Sequence, residues 1–106
     1  MLAAVVMLAG CSGSSVVVIA NRSNVTVSNV VLSGSGFTNQ LGNILPGGEA
    51  QIRVNPRGES GLRVVFDTAG RTVDSGEQGY FEATGYRVSA VISTNLNVSV
   101  LSDLGH

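Results

Sequence analysis

Ala50-Gln51-Ile52-Arg53-Val54-Asn55 alternates apolar and polar side chains without a break. Successive side chains of an extended chain point to opposite faces, so Ala50, Ile52 and Val54 share one face and Gln51, Arg53 and Asn55 the other, as a half-buried antiparallel strand requires. Pro56-Arg57-Gly58-Glu59 then turns the chain, and Leu62, Val64 and Phe66 repeat the inward pattern against Arg63 and Asp67, so the two segments are expected to form a hairpin. On the N-terminal side, Pro46-Gly47-Gly48 is the strongest turn signal of the chain, because proline presets φ and glycine accepts positive φ.

Working outward, the same period of two recurs and no amphipathic helical pattern does. Residues 16–20 run through Val and Ile without polar interruption and read as a central strand covered on both faces. Val25 and Val27, then Val30 and Leu32, make a second strand whose parity changes at Ser28-Asn29, the mark of a bulge. Ser33-Gly34-Ser35-Gly36 breaks it, and residues 37–45 read as a connection in which Phe37, Leu41, Ile44 and Leu45 plug one end of the core. Beyond the hairpin come a short strand at 71–73, a loop at 74–79 and a strand at 80–83. Two further strands follow at 86–93, with Val88, Ala90 and Ile92 inward, and at 96–101, with Leu96, Val98 and Val100 inward.

Six to eight short strands in one chain of 106 residues give an all-β fold, a small antiparallel β-sandwich, either immunoglobulin-like or transthyretin-like. The single cysteine and the lack of tryptophan leave no Cys–Trp–Cys pattern of an antibody-type domain. A hydrophobic content of 43% with 14 glycines fits strands joined by tight turns rather than disorder. Charged residues are only 12% of the chain, the net charge is −1, and the arginines are scattered, so no nucleic-acid partner is expected.

The lone Cys11 closes an apolar run, residues 2–9, that is too short to span a bilayer and is followed by Ser12-Gly13-Ser14-Ser15. Leu8-Ala9-Gly10-Cys11 resembles the lipobox of bacterial lipoproteins, in which small residues admit the protease and the cysteine thiol receives the lipid. That resemblance implies a signal peptide at 1–10, with a start expected upstream of Met1 because no Lys or Arg precedes the run, a lipidated Cys11 with a tether at 11–15, and a sandwich domain at 16–106. Anchoring through several acyl chains is effectively permanent. Ser12 after the cysteine implies an outer-membrane, periplasm-facing location. As a free thiol Cys11 would be a small core residue, but its Gly and Ser neighbours make a poor strand.

Catalytic chemistry finds little support. His106 is the only histidine and ends the chain, which removes Ser–His and Cys–His dyads and the common zinc sets. The acids Glu49, Glu59, Asp67, Asp74, Glu77, Glu82 and Asp103 lie in or beside expected turns, so no catalytic residue, metal or cofactor is assigned. Residues 67–77 carry oxygen ligands and glycine as a calcium loop does, but Arg71 sits among them and ordinary charge pairing is the favoured reading. Asn21, Asn24 and Asn97 fit the N-glycosylation triplet, which an Asn/Ser/Thr-rich composition explains more simply. Tyr86 reads as a rim tyrosine in preference to a tyrosine corner. The candidate binding features are the adjacent rings Tyr80 and Phe81, of which one must face the core, and the sheet edges, open to strand addition. The expectation is a non-enzymatic, lipid-anchored envelope module that binds another protein. Its alternatives are a part of an envelope machine, such as the tethered transthyretin-like lipoprotein of type VI secretion, or a lysozyme inhibitor, although those usually carry a cysteine pair this chain lacks.

Overall fold

The computed structural model describes residues 14–104. Eight strands, β1 (Ser15–Asn21), β2 (Val27–Gly34), β3 (Phe37–Ile44), β4 (Glu49–Val54), β5 (Ser60–Thr68), β6 (Arg71–Phe81), β7 (Tyr86–Ile92) and β8 (Val98–Leu104), follow one another without a helix among the described residues. They form two four-stranded sheets, ordered β4-β1-β7-β8 and β3-β2-β5-β6. All neighbours are antiparallel except β1 and β7, which run parallel in the middle of the first sheet. In an immunoglobulin domain the first two strands pair within one sheet. Here β1 and β2 lie in opposite sheets, so of the two expected arrangements the immunoglobulin-like one is not adopted.

Alternation places the core. Val17 and Ile19 of β1, Val27, Val30 and Leu32 of β2, Leu62, Val64 and Phe66 of β5, and Val88, Ala90 and Ile92 of β7 are buried between the sheets. Phe81 and Phe37 close one end, ring centroids 6.1 Å apart at 58°. Each large side chain removed from water this way stabilises the fold by about 1.5–3 kcal/mol.

Several local expectations are corrected. Residues 37–45 are not a connection: β3 pairs with β2 through the two-residue turn Ser35-Gly36, and Phe37 alone of the expected plug sits at that end. Residues 74–79 are not a loop: β6 is continuous over 11 residues, with two bulges against β5 that absorb the extra residues. Segments 50–55 and 60–67 do not form a hairpin. β4 pairs with β1, and the buried Pro56 carries the chain across the sandwich end to β5 in the other sheet. β1 is central, but it is not covered on both faces, since Val16 and Val18 are only half-buried on the outer one. Val25 is exposed in the loop before β2, and Leu96 sits in a turn at φ 68 rather than in β8. The bulge expected at Ser28-Asn29 is present, with Asn29 at φ 52 and a register shift between Val27 and Val30.

Candidate functional site

β6 delivers the aromatic pair. Gly79, at φ 77, makes the second bulge of that strand, and the residues after it resume alternation. Phe81 therefore points inward and is fully buried beside Phe37, so it is the ring of the pair that faces the core. Tyr80 points outward and remains 44% exposed. Its phenol donates to the Glu82 carboxylate, and its ring meets Tyr86 edge-on, centroids 6.3 Å apart at 79°. The carboxylate beside it, partial burial and the more distant Glu59 together push the phenol up to about 12. Tyr80 is thus a fixed neutral donor, not a base or a nucleophile.

The acids do not converge. Asp67 accepts from Thr72 Oγ1 at 2.7 Å and from Asn29 Nδ2 at 3.0 Å, bonds that lower its pKa. Asp74 accepts from Arg63 Nε and Nη2 and from the Gly76 amide at 2.9 Å; the Arg63 hydrogen bond leads in lowering it to about 2. A general acid needs the opposite shift. Both sit on the outer face of the second sheet, above shallow depressions lined by Ser33, Gly34, Glu77 and Thr72 among others. The calcium-loop segment is accordingly the β5–β6 hairpin, turning at Ala69-Gly70 with both residues at positive φ. Among the described residues no three His, Cys, Asp or Glu side chains come together. Asn21, one of the triplet asparagines, is fully buried. Tyr86 is a half-buried rim residue. Cys11 and His106 lie outside the described residues.

The four sheet edges differ. β6 and β8 meet along one side: Gln78 Nε2 donates to Val98 O at 3.0 Å, Ser102 Oγ donates to Tyr80 O, and Gly79 lies so close to Val100 that a Cβ there would stand 3.0 Å from its Cγ1. On the other side, β4 carries Glu49 and Arg53, the charges that usually blunt an edge. β3, Phe-Thr-Asn-Gln-Leu-Gly-Asn-Ile, has neither a charge nor a proline, and it pairs regularly with β2 from Phe37 to Gln40 before a bulge at Leu41-Gly42. The sequence shows β3's uncharged composition, but not that this segment is an edge.

No protein-family model and no curated protein matches the chain. A solved structure does: the NMR structure of the protein from Eubacterium rectale is similar over 92% of this chain and 94% of that one, with a TM-score of 0.53 and 14% identity. At that identity the likeness shows the fold alone.

Proposed function

We propose that the protein is a non-catalytic module of the bacterial cell envelope, anchored in the outer membrane by lipid on Cys11 and facing the periplasm, that binds another envelope protein by strand addition to β3. The observation carrying this reading is that β3 is the one edge of the four without a charged residue, while β4, β6 and β8 carry Glu49 and Arg53, Arg71, Asp74 and Glu77, and Asp103. An extended partner segment pairing with residues 37–40 gains backbone hydrogen bonds at no cost in buried charge. The dispersed, low-pKa acids support a binding role over an enzymatic one. The lipobox resemblance at Leu8-Ala9-Gly10-Cys11 supports the anchor. A second reading, a component of an envelope machine such as type VI secretion, is favoured by a strand order that is not immunoglobulin-like, although fold analogy is weak ground for function.

Photo-crosslinkers placed at Thr38 and Gln40 in cells should capture a discrete partner, and the double variant Thr38→Lys, Gln40→Lys should lose it without a change in Tm. Capture indifferent to those lysines would refute the β3 edge. Mass spectrometry of the membrane fraction, beside Cys11→Ser, should find the wild-type cysteine acylated.

A further inference from the structure

We infer that the end of the sandwich where β1 begins lies against the membrane, with Tyr80, Tyr86 and Leu104 seated among the lipid headgroups. This rests on the lipid-anchor reading and adds an orientation and a contact surface to it.

The first step is chain length. The fold takes hold of the backbone at once: Gly85 N donates to Ser14 O at 3.2 Å, Ser15 Oγ donates to Glu82 O at 2.7 Å, and Tyr86 N donates to Ser15 Oγ at 3.2 Å. Only Ser12 and Gly13 separate Ser14 from Cys11. Three Cα-to-Cα steps span at most about 11 Å. A lipidated Cys11 sits at headgroup level, in an interfacial layer that is itself about 5–8 Å deep on each side. Ser14 therefore cannot stand clear of the lipid surface by more than about one such layer.

The second step is what surrounds that exit point. Register puts the C-terminal end of β8 beside the start of β7, Leu104 opposite Tyr86. The Ser15 hydroxyl binds the Tyr86 amide, and the Tyr80 ring rests on the Tyr86 ring. Tyr80 is 44% and Leu104 56% exposed, so two tyrosines and a leucine form an apolar collar directly beside the exit. Tyrosine, with an apolar body and a polar tip, favours the membrane–water interface. Among the described residues the charges at this end balance, Arg53, Arg57 and Arg87 against Glu59, Glu82 and Asp103, so they set up no net repulsion against the contact. The opposite end, with Leu45 and the loop after β1, then points away from the membrane, and β3 stands upright between the two.

The chain has no tryptophan, so a single one reports its own depth. Full-length acylated protein carrying Tyr80→Trp or Leu104→Trp is reconstituted in phosphatidylcholine vesicles containing acyl-brominated lipid, with Leu45→Trp at the far end as comparison. Both collar reporters should shift to the blue and lose most of their emission, while Leu45→Trp keeps the solvent-exposed spectrum. Two collar positions guard against one variant folding poorly. Collar and far-end reporters behaving alike on acylated protein overturns the orientation and leaves the anchor standing. A free Cys11 thiol in the intact mass overturns the anchor, and the orientation with it.

Discussion

Asn21 carries a primary amide into a place with no exposure to water, and all of its bonding capacity is used there. Nδ2 donates to Val25 O at 2.8 Å and Ile44 O at 2.9 Å, while Oδ1 accepts from the Ser23 amide at 3.0 Å and from its hydroxyl at 2.6 Å. One side chain thus ties the end of β1 to the following loop and to the end of β3. Removing it strips a partner from two carbonyls and from the Ser23 amide, and a buried group left unsatisfied costs about 1–3 kcal/mol. Asn21→Ala is expected to lower stability by about 2–4 kcal/mol in urea unfolding, and Asn21→Asp by more, since a carboxylate would face two carbonyl oxygens. A change no larger than an ordinary surface substitution, about 0.5 kcal/mol, would show that the hub is dispensable. Asp74 is a contrasting case, exposed and held by Arg63. Its folded pKa of about 2 lies below the ordinary carboxylate value of about 3.9. The stability it lends is therefore complete above the ordinary carboxylate range and is lost as pH falls through the folded pKa. NMR titration should place the Asp74 midpoint at about 2 in the wild type and move it up toward the ordinary carboxylate range in Arg63→Leu, with the Gly76 amide still holding it below that range. Asp74→Asn should flatten part of the acid limb of Tm against pH while changing little at neutrality, where an exposed pair counts for little.

Elements are legible in the sequence where one face meets the core and the other meets water. β5 and β7 show it: Leu62, Val64 and Phe66, then Val88, Ala90 and Ile92, are buried as their alternation requires. Two of the edge strands, β3 and β6, are harder to read, because backbone pairing holds them and they show less apolar contrast than β4, an edge whose alternation is unbroken. β3 carries Asn39, Gln40, Gly42 and Asn43 and resembles a connection; β6 contains Gly76 and Gly79, which resemble a loop but mark bulges. Nor does local pattern distinguish a hairpin from a crossover, which is why β4 and β5 read as a pair. The aromatic site is half legible: alternation says that one of Tyr80 and Phe81 faces inward, but the bulge at Gly79 sets which. The two bulge glycines separate strain from crowding. Both have positive φ, Gly76 at 67 and Gly79 at 77, but a Cβ at Gly76 would meet nothing within 4 Å, whereas one at Gly79 would press on Val100. Gly76→Ala should cost about 1–2 kcal/mol from backbone strain alone. Gly79→Ala should cost more, and Val100→Ala in the same chain should recover part of the excess; equal costs for the two glycine variants would mean that β6 and β8 are not pressed together there.

At the scale of the molecule, the parallel β1–β7 pair joins segments far apart in sequence, and β1 is also the sheet partner of β4. The first sheet therefore exists only when the first strand of the domain has met the seventh, and such non-local pairing places folding in the range of milliseconds to seconds. The second sheet is more local, with two-residue turns joining β2 to β3 and β5 to β6. The unequal side edges add a second asymmetry, β6 and β8 being laced together while β3 keeps an open edge. Backbone amides should record both. Val17 and Ile19 of β1 are central and fully buried, as is Val88 of β7, so their amides should exchange with solvent only through global unfolding. Amides of residues 38–40 lie in a strand paired on one side alone, and those not bonded to β2 should exchange orders of magnitude faster through local opening. Binding of a strand to β3 would then protect these amides selectively and leave the Val17 and Val88 amides unchanged. Hydrogen exchange before and after partner binding tests this, and protection spread evenly over both sheets would argue for a partner that stabilises the whole domain without completing its open edge.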